Sequence, residues 1–248
     1  MMESQGVLEI VFAALVLVIA YAVRGATGFG GQAIAVPMLA LVLPLQAVVP
    51  AITVLTALSS FTYWRRDRDK IEWGEIARLL PFTLIGVAAG LYVFQQVDPG
   101  TLTRAFGGFV ILYALFSLRS ASVMPAPPRF ARLIGAFLSV ASGALGAIFG
   151  AAAGPLYVIY FNMLRLEKAV FRATVTTILM FQAVARIAGY AQLGFYDQTV
   201  LLLIVAGLPL MLIGSGLGGV ISGRIEQHVF NRCVAALLLV SGVALILK

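Results

Sequence analysis

The chain has 248 residues, 61% hydrophobic and only 11% charged, with a mean hydropathy of +1.03 and a net charge of +7. Soluble globular chains carry about 25% charged residues, so this is an integral membrane protein, and apolar runs without strict alternation exclude an outer-membrane barrel. The Lys and Arg residues lie mostly in short loops between apolar runs, which ties the positive charge to membrane topology and argues against nucleic-acid binding.

Ten apolar segments follow in order. They run from Val7 to Val23, Gln32 to Leu43, Ala47 to Trp64, Ile76 to Phe94 and Leu102 to Leu118, then from Leu133 to Phe149, Leu156 to Leu164, Val170 to Gln192, Val200 to Ile221 and Val229 to Leu247. Met1 to Gly6 offers neither a basic start nor a small-residue cleavage site, so the first segment is expected to be retained. Cys233, the lone cysteine, has no partner for a disulfide or a thiol redox pair, and it reads as a small core residue. His228 is the single histidine, which excludes a histidine metal cluster and a Ser/His hydrolase. No metal, cofactor or enzymatic activity is expected.

Two glycine-rich stretches interrupt the apolar runs: Gly25-Ala-Thr-Gly-Phe-Gly-Gly31 and Gly146-Ala-Ile-Phe-Gly-Ala-Ala-Ala-Gly-Pro155. Each precedes a segment of roughly 14 to 18 Å at ~1.5 Å per residue, too short for a hydrocarbon core of ~30 Å. Irregular backbone at membrane depth persists only where it is buried in protein or lines a polar cavity. The two breaks are therefore expected to face one another near the midplane and to form a binding site.

The halves resemble each other. Leu80-Pro81, Gly86, Gly90 and Arg104 recur 128 residues later as Leu208-Pro209, Gly214, Gly218 and Arg232, and Leu45 to Thr53 resembles Leu166 to Thr174 at an offset of about 122. The charges of equivalent loops differ. Arg65-Arg-Asp-Arg-Asp-Lys70 corresponds to Gln192 to Gln198, which has no Lys or Arg, whereas uncharged Val42 to Gln46 corresponds to a stretch holding Arg165, Lys168 and Arg172. Equivalent loops then lie on opposite sides. This gives an all-α membrane protein of two inverted repeats, each of about five membrane segments: residues 1–122 and 133–248, joined by a Pro/Arg linker over 123–132. Counting the short segments, ten pass into the membrane; if those turn back, about eight spans remain. The loop 65–75 and the linker 119–132 are expected to be cytoplasmic, with both termini outside.

After a glycine break, the first turn of a helix presents amides without intrahelical acceptors and about half a positive charge, which suits an anion. Gly28, Gly30, Gly31, Gly150 and Gly154 permit positive φ and close backbone approach, although small residues also serve plain helix packing. Thr27, Gln32, Asn162, Thr174 and Thr177 supply polar side chains beside the breaks, as Thr53, Thr56 and Thr176 do on the same segments. Arg24 precedes the first break and Arg172 begins segment 8. An intramembrane charge is costly and points to function, though both can also snorkel. Arg186 lies roughly one turn from the outer end of its segment, where snorkelling competes with ligand contact. Apart from Glu9, close to the start of the first segment, no Asp or Glu falls inside an apolar segment, so proton or sodium coupling has little support. Anion export from a negative interior gains about 2.3 kcal/mol per charge per 100 mV.

Gly28-Phe-Gly-Gly31 with Ala35-Val-Pro37, Phe149-Gly150 through Gly154-Pro155 into Tyr160, and Phe171-Arg-Ala-Thr174 together resemble the TauE/SafE family of bacterial permeases. The resemblance spans nearly the whole chain. It implies transport of small sulfur-containing anions such as sulfite, sulfoacetate, thiosulfate or organosulfonates across the inner membrane, with Gly30, Gly31, Pro37, Gly154, Pro155, Arg172 and Thr174 matching the family pattern. Ala151-Ala-Ala153 departs from it, since such proteins often carry more glycine there. The expected partners are a small anionic substrate and the bilayer. An anion channel on the same architecture and a non-transporting scaffold subunit are the competing functions.

Overall fold

The computed structural model describes residues 2–27, 30–119, 128–150, 153–221 and 238–248, and among them the chain is helical with no strand. The helices are α1 (Met2–Thr27), α2 (Gly31–Leu39), α3 (Leu45–Asp67), α4 (Trp73–Gln96), α5 (Pro99–Arg119), α6 (Pro128–Phe149), α7 (Ala153–Met163), α8 (Lys168–Gln192) and α9 (Gln198–Ile221), with α10 (Leu238–Leu247) closing the chain. Helices suit lipid because each satisfies its own backbone polar groups. Five stretches are long and apolar enough to cross a membrane: Leu8–Gly25, Trp73–Gln96, Phe130–Phe149, Ala169–Gln192 and Gln198–Val220. Their outer faces carry well-exposed apolar side chains, among them Phe137, Val205, Leu212 and Val220. The protein is thus an all-α, multi-pass membrane protein.

Both short helices are present, α2 with nine residues and α7 with eleven. The breaks before them are narrower than the glycine runs suggested. α1 continues through Arg24, Gly25 and Thr27, and α6 continues through Gly146 to Phe149. Gly25 is a packing glycine, since a Cβ there would come 2.6 Å from the Ser215 carbonyl of α9. Pro155 falls in the first turn of α7, where its missing N–H costs no intrahelical bond.

The helices gather into two compact units, each drawing on both halves of the sequence. One comprises Met1–Ile52, Val97–Ala121 and Asp197–Lys248; the other comprises Thr53–Gln96 and Ser122–Tyr196. In the first unit α1 packs on α9 and α2 packs on α1. In the second, α4 packs on α6 and α8, and α7 lies against α6 and α8.

The same small-residue contacts recur in both units. Gly214 and Gly218 of α9 close on the backbone of Val18 and Ala22 in α1, while Gly86 and Gly90 of α4 close on Val140 and Ala144 in α6. Within these contacts the glycine pairs are 128 residues apart and their partners 122 apart. Such contacts need glycine because a Cβ would drive into a backbone carbonyl.

The C-terminus of α8 shows how sequence sets a boundary here. Gly194 takes φ 76°, its N–H bonds to Ala191 O at 3.2 Å, and the Phe195 N–H bonds to Tyr190 O at 3.0 Å. This is a Schellman stop, and the Phe195 ring lies 6.1 Å from Tyr190 as its apolar clasp.

Candidate functional site

At the first break Gly30 is left-handed, with φ 89° and ψ −12°, and caps α2 without any side-chain hydrogen bond. An L side chain is disfavoured there, and glycine removes that penalty. The Ala33 N–H reaches Gly30 O at 3.0 Å. Preceding amides have no such acceptor within the helix, and they carry the positive end of its dipole.

Gly31 is where α2 meets α1: a Cβ would lie 2.8 Å from Ala20 O and 3.0 Å from the Arg24 Cβ. Arg24 is buried within the protein, only 2% exposed. Its cationic side chain and the helix end beside it share the same sign. Gln32 Nε2 is a buried donor with no partner. The opposite end of α2 is capped by the Lys248 ammonium, 3.1 Å from both Ala40 O and Leu41 O, matching the negative end of the dipole. Thr27 ends α1, but its side chain and the whole of Gly28 lie outside the described residues.

At the second break Gly150 has φ 71° and its N–H bonds to Gly146 O at 2.9 Å, so a left-handed glycine terminates α6. Residues 151 and 152 and the Pro155 side chain lie outside the described residues. α7 is fastened to α4 by hydroxyls. Tyr157 and Thr83 share a 2.6 Å hydrogen bond, and the Tyr160 hydroxyl donates to Glu75 Oε2 at 2.7 Å.

α8 lines the other side with three side chains four residues apart. The Gln182 amide donates to Ser142 O at 2.8 Å, Arg186 donates to Gly146 O and, at 3.5 Å, to Gly150 O, and the Tyr190 hydroxyl donates to Ala147 O. All three are buried, Arg186 at 2% exposure. Arg186 therefore points to the end of α6.

Only some of the remaining expected residues gather here. A Cβ on Gly154 would find just Leu179 Cδ1, at 3.9 Å, so the first turn of α7 lies beside that part of α8. Measured along α8, Thr177 is within one turn of this level, Thr174 about 8 Å away and Arg172 about 11 Å away. The Thr177 hydroxyl donates to Ala173 O at 2.7 Å, and Thr174 Oγ1 accepts the Glu72 N–H at 3.0 Å. Both are buried and already engaged in holding the fold. Arg172 is part-buried and engaged within the protein. Asn162 is exposed near the far end of α7, about 12 Å beyond Gly154. Gln182, Tyr157 and Tyr190 were not singled out from sequence; the four-residue spacing of Gln182, Arg186 and Tyr190 on one helix face was the signal available.

Among the described residues no group of His, Cys, Asp and Glu could hold a metal ion. Cys233 and His228 lie outside the described residues.

Comparison with known proteins agrees with this architecture. The sulfite exporter TauE/SafE family profile matches residues 13–245. A curated relative, "Probable inner membrane transporter protein TsaS" of Comamonas testosteroni, is 28% identical over 179 residues, covering 71% of this chain and 73% of its own. No solved structure matches the chain. Short helices behind left-handed glycines, an all-α membrane scaffold and a family match over nearly its full length lead to one conclusion: this inner-membrane transporter, which is not an enzyme, belongs to the sulfite exporter TauE/SafE family.

Proposed function

We propose that the protein exports small sulfur-containing anions, such as sulfite, sulfoacetate, thiosulfate or organosulfonates, by alternating access around its helix breaks. The observation that carries this is the charge at each break. α2 opens on Gly30 with its unsatisfied amides beside Arg24, and α7 follows Gly150, whose carbonyl is met by Arg186. A helix N-terminus whose amides lack acceptors is stabilised by an anion and repels a cation, and at the second break Arg186 offsets the opposing carbonyl end of α6. The family match supports sulfur oxyanions as the class, since their oxygens accept several amide and guanidinium donors at once.

The inverted repeat supplies the cycle. The paired contacts of Gly86 with Val140 and Gly214 with Val18 support a duplicated chain, and the opposed charges of equivalent loops support its inversion. That both breaks serve a single anion, and that loop 65–75 and linker 119–132 face the cytoplasm, are proposed on the sequence alone.

A thermal-shift panel of sulfite, sulfoacetate, thiosulfate, sulfate and carboxylates on purified protein tests this reading. A bound anion stabilises by RT ln(1 + [L]/Kd), about 2.7 kcal/mol at a hundredfold excess over Kd. Sulfur anions are expected to raise the melting temperature more than carboxylates do; no response to any anion favours a scaffold.

A further inference from the structure

We propose that Arg186 is a resident cation: its guanidinium occupies the carbonyl end of the broken helix α6 and takes the place there of a small coupling cation. The proposal deepens the anion-transport reading above and rests on it for its functional meaning.

Broken membrane helices have two poles. The N-terminal end of the following half attracts anions, whereas the unwound carbonyls and C-terminal end of the preceding half coordinate sodium or protons. Here α6 ends at Gly150, and its terminal carbonyls carry the negative end of the dipole. Gly146 and Gly150 are buried, so carbonyls left unmatched there would be costly or would hold a metal cation. Arg186 Nη1 instead donates to Gly146 O and, at 3.5 Å, to Gly150 O. The neighbouring rungs, Gln182 to Ser142 O and Tyr190 to Ala147 O, fix α8 in register so that the guanidinium meets this end.

Among the described residues the charge has no other compensation. Among the described residues no carboxylate pairs with Arg186; the ion pair in this unit joins Arg78 and Glu75 at 2.5 Å. An isolated buried charge is expensive, so the carbonyl end of α6 accounts for why an arginine is tolerated here at 2% exposure. With that end neutralised by a side chain that cannot leave, the start of α7 keeps its positive field. The Nε of Arg186, buried and without a partner, is a donor not spent on α6. The consequence for transport is that the anion binds with no sodium or potassium requirement.

The test compares wild type with Arg186→Gln and Arg186→Lys in sodium, potassium and N-methylglucamine chlorides at equal ionic strength, with and without sulfite. Wild-type melting temperature and sulfite affinity are expected to be the same in all three salts. Arg186→Gln vacates the carbonyls: it is expected to gain a stabilisation by sodium chloride over N-methylglucamine chloride that wild type lacks, and to lose about tenfold or more in sulfite affinity. Arg186→Lys keeps the charge and is expected to retain most of that affinity. A wild type that needs sodium to bind sulfite, or a folded Arg186→Gln with no cation response and undiminished affinity, overturns the proposal. If Arg186→Gln does not fold, Arg186→Lys in the same three salts decides: retained sulfite affinity with no sodium response supports the resident cation, and lost affinity overturns it. If sulfite and its relatives fail to shift wild type in any salt, the anion reading falls, while the cation response of Arg186→Gln still decides the role of Arg186.

Discussion

Glycine at residue scale plays three different parts in this protein. Gly30 and Gly150 supply left-handed backbone, Gly25, Gly86 and Gly214 admit a neighbouring helix, and Gly154 would set a Cβ in ordinary contact with Leu179 among the described residues. Substitutions at Gly31 and Gly154 therefore ask different questions. Gly31→Val would force a side chain into Ala20 O and the Arg24 stem, so it is expected to lower stability by about 1–3 kcal/mol through overpacking. Its loss of anion binding would be inseparable from that damage. Among the described residues Gly154→Ala meets only Leu179 Cδ1 and is expected to leave the melting temperature unchanged, so a fall in sulfite affinity would report close approach of the anion to the α7 backbone. At Gly30 nothing among the described residues lies within 4 Å of an added Cβ, and the cost of Gly30→Ala is backbone strain of about 1–2 kcal/mol. Gly30→Asn is expected to cost less, because asparagine tolerates the left-handed region, and thermal melting separates the two.

At the scale of elements, caps and helix contacts govern behaviour. α5 begins with Pro99 behind Asp98, whose Oδ2 accepts the Thr101 N–H at 2.8 Å. That backbone bond, with a second contribution from the Thr101 hydroxyl, holds the Asp98 carboxyl below its ordinary pKa. A carboxyl with a depressed folded-state pKa stabilises fully above its unfolded value, near 3.9, and loses that contribution as pH falls through the folded value. Asp98→Ala is thus expected to lower the melting temperature at neutral pH, with the gap to wild type narrowing only below about pH 4. A gap that stays constant with pH would assign the effect to something other than the ionised cap.

Between helices, a Cβ on Gly214 would come 2.5 Å from Val18 O, whereas Gly216 and Gly219 on the same helix have nothing within 4 Å. Gly214→Ala is expected to destabilise by about 1–3 kcal/mol and Gly216→Ala to be neutral or slightly stabilising, as measured by thermal unfolding. Equal effects would mean that α9 does not rest on α1 through that face.

For the whole molecule, topology is the property that function needs. Inverted halves require Arg65 to Lys70 and Gln192 to Gln198 on opposite sides of the membrane. Single cysteines placed at Asp69 and at Gln198, both exposed, are expected to react with a membrane-impermeant thiol reagent from opposite faces in a Cys233→Ser background. Labelling of both from one side would remove the inversion and with it the rocking cycle. Duplication would survive, because it rests on the paired glycine contacts of α4 with α6 and α9 with α1.

Sequence alone determined the class, the short helices and the breaks, because each depends on local quantities: hydropathy summed over a window, segment length against bilayer thickness, and glycine where a helix must stop. Family membership was legible for the same reason, as the glycine motifs lie contiguous in the chain. Only tertiary structure decided how the buried polar groups are spent. Thr174 accepts from Glu72 across 102 residues, Thr177 bonds back to its own helix, and Arg186 reaches carbonyls 36 and 40 residues upstream. A hydroxyl or guanidinium carries the same bonding capacity wherever it stands in a sequence; which partner meets it is fixed by the packing of helices that are remote along the chain, and in a low-dielectric interior that partner determines whether the group binds a ligand or the protein itself.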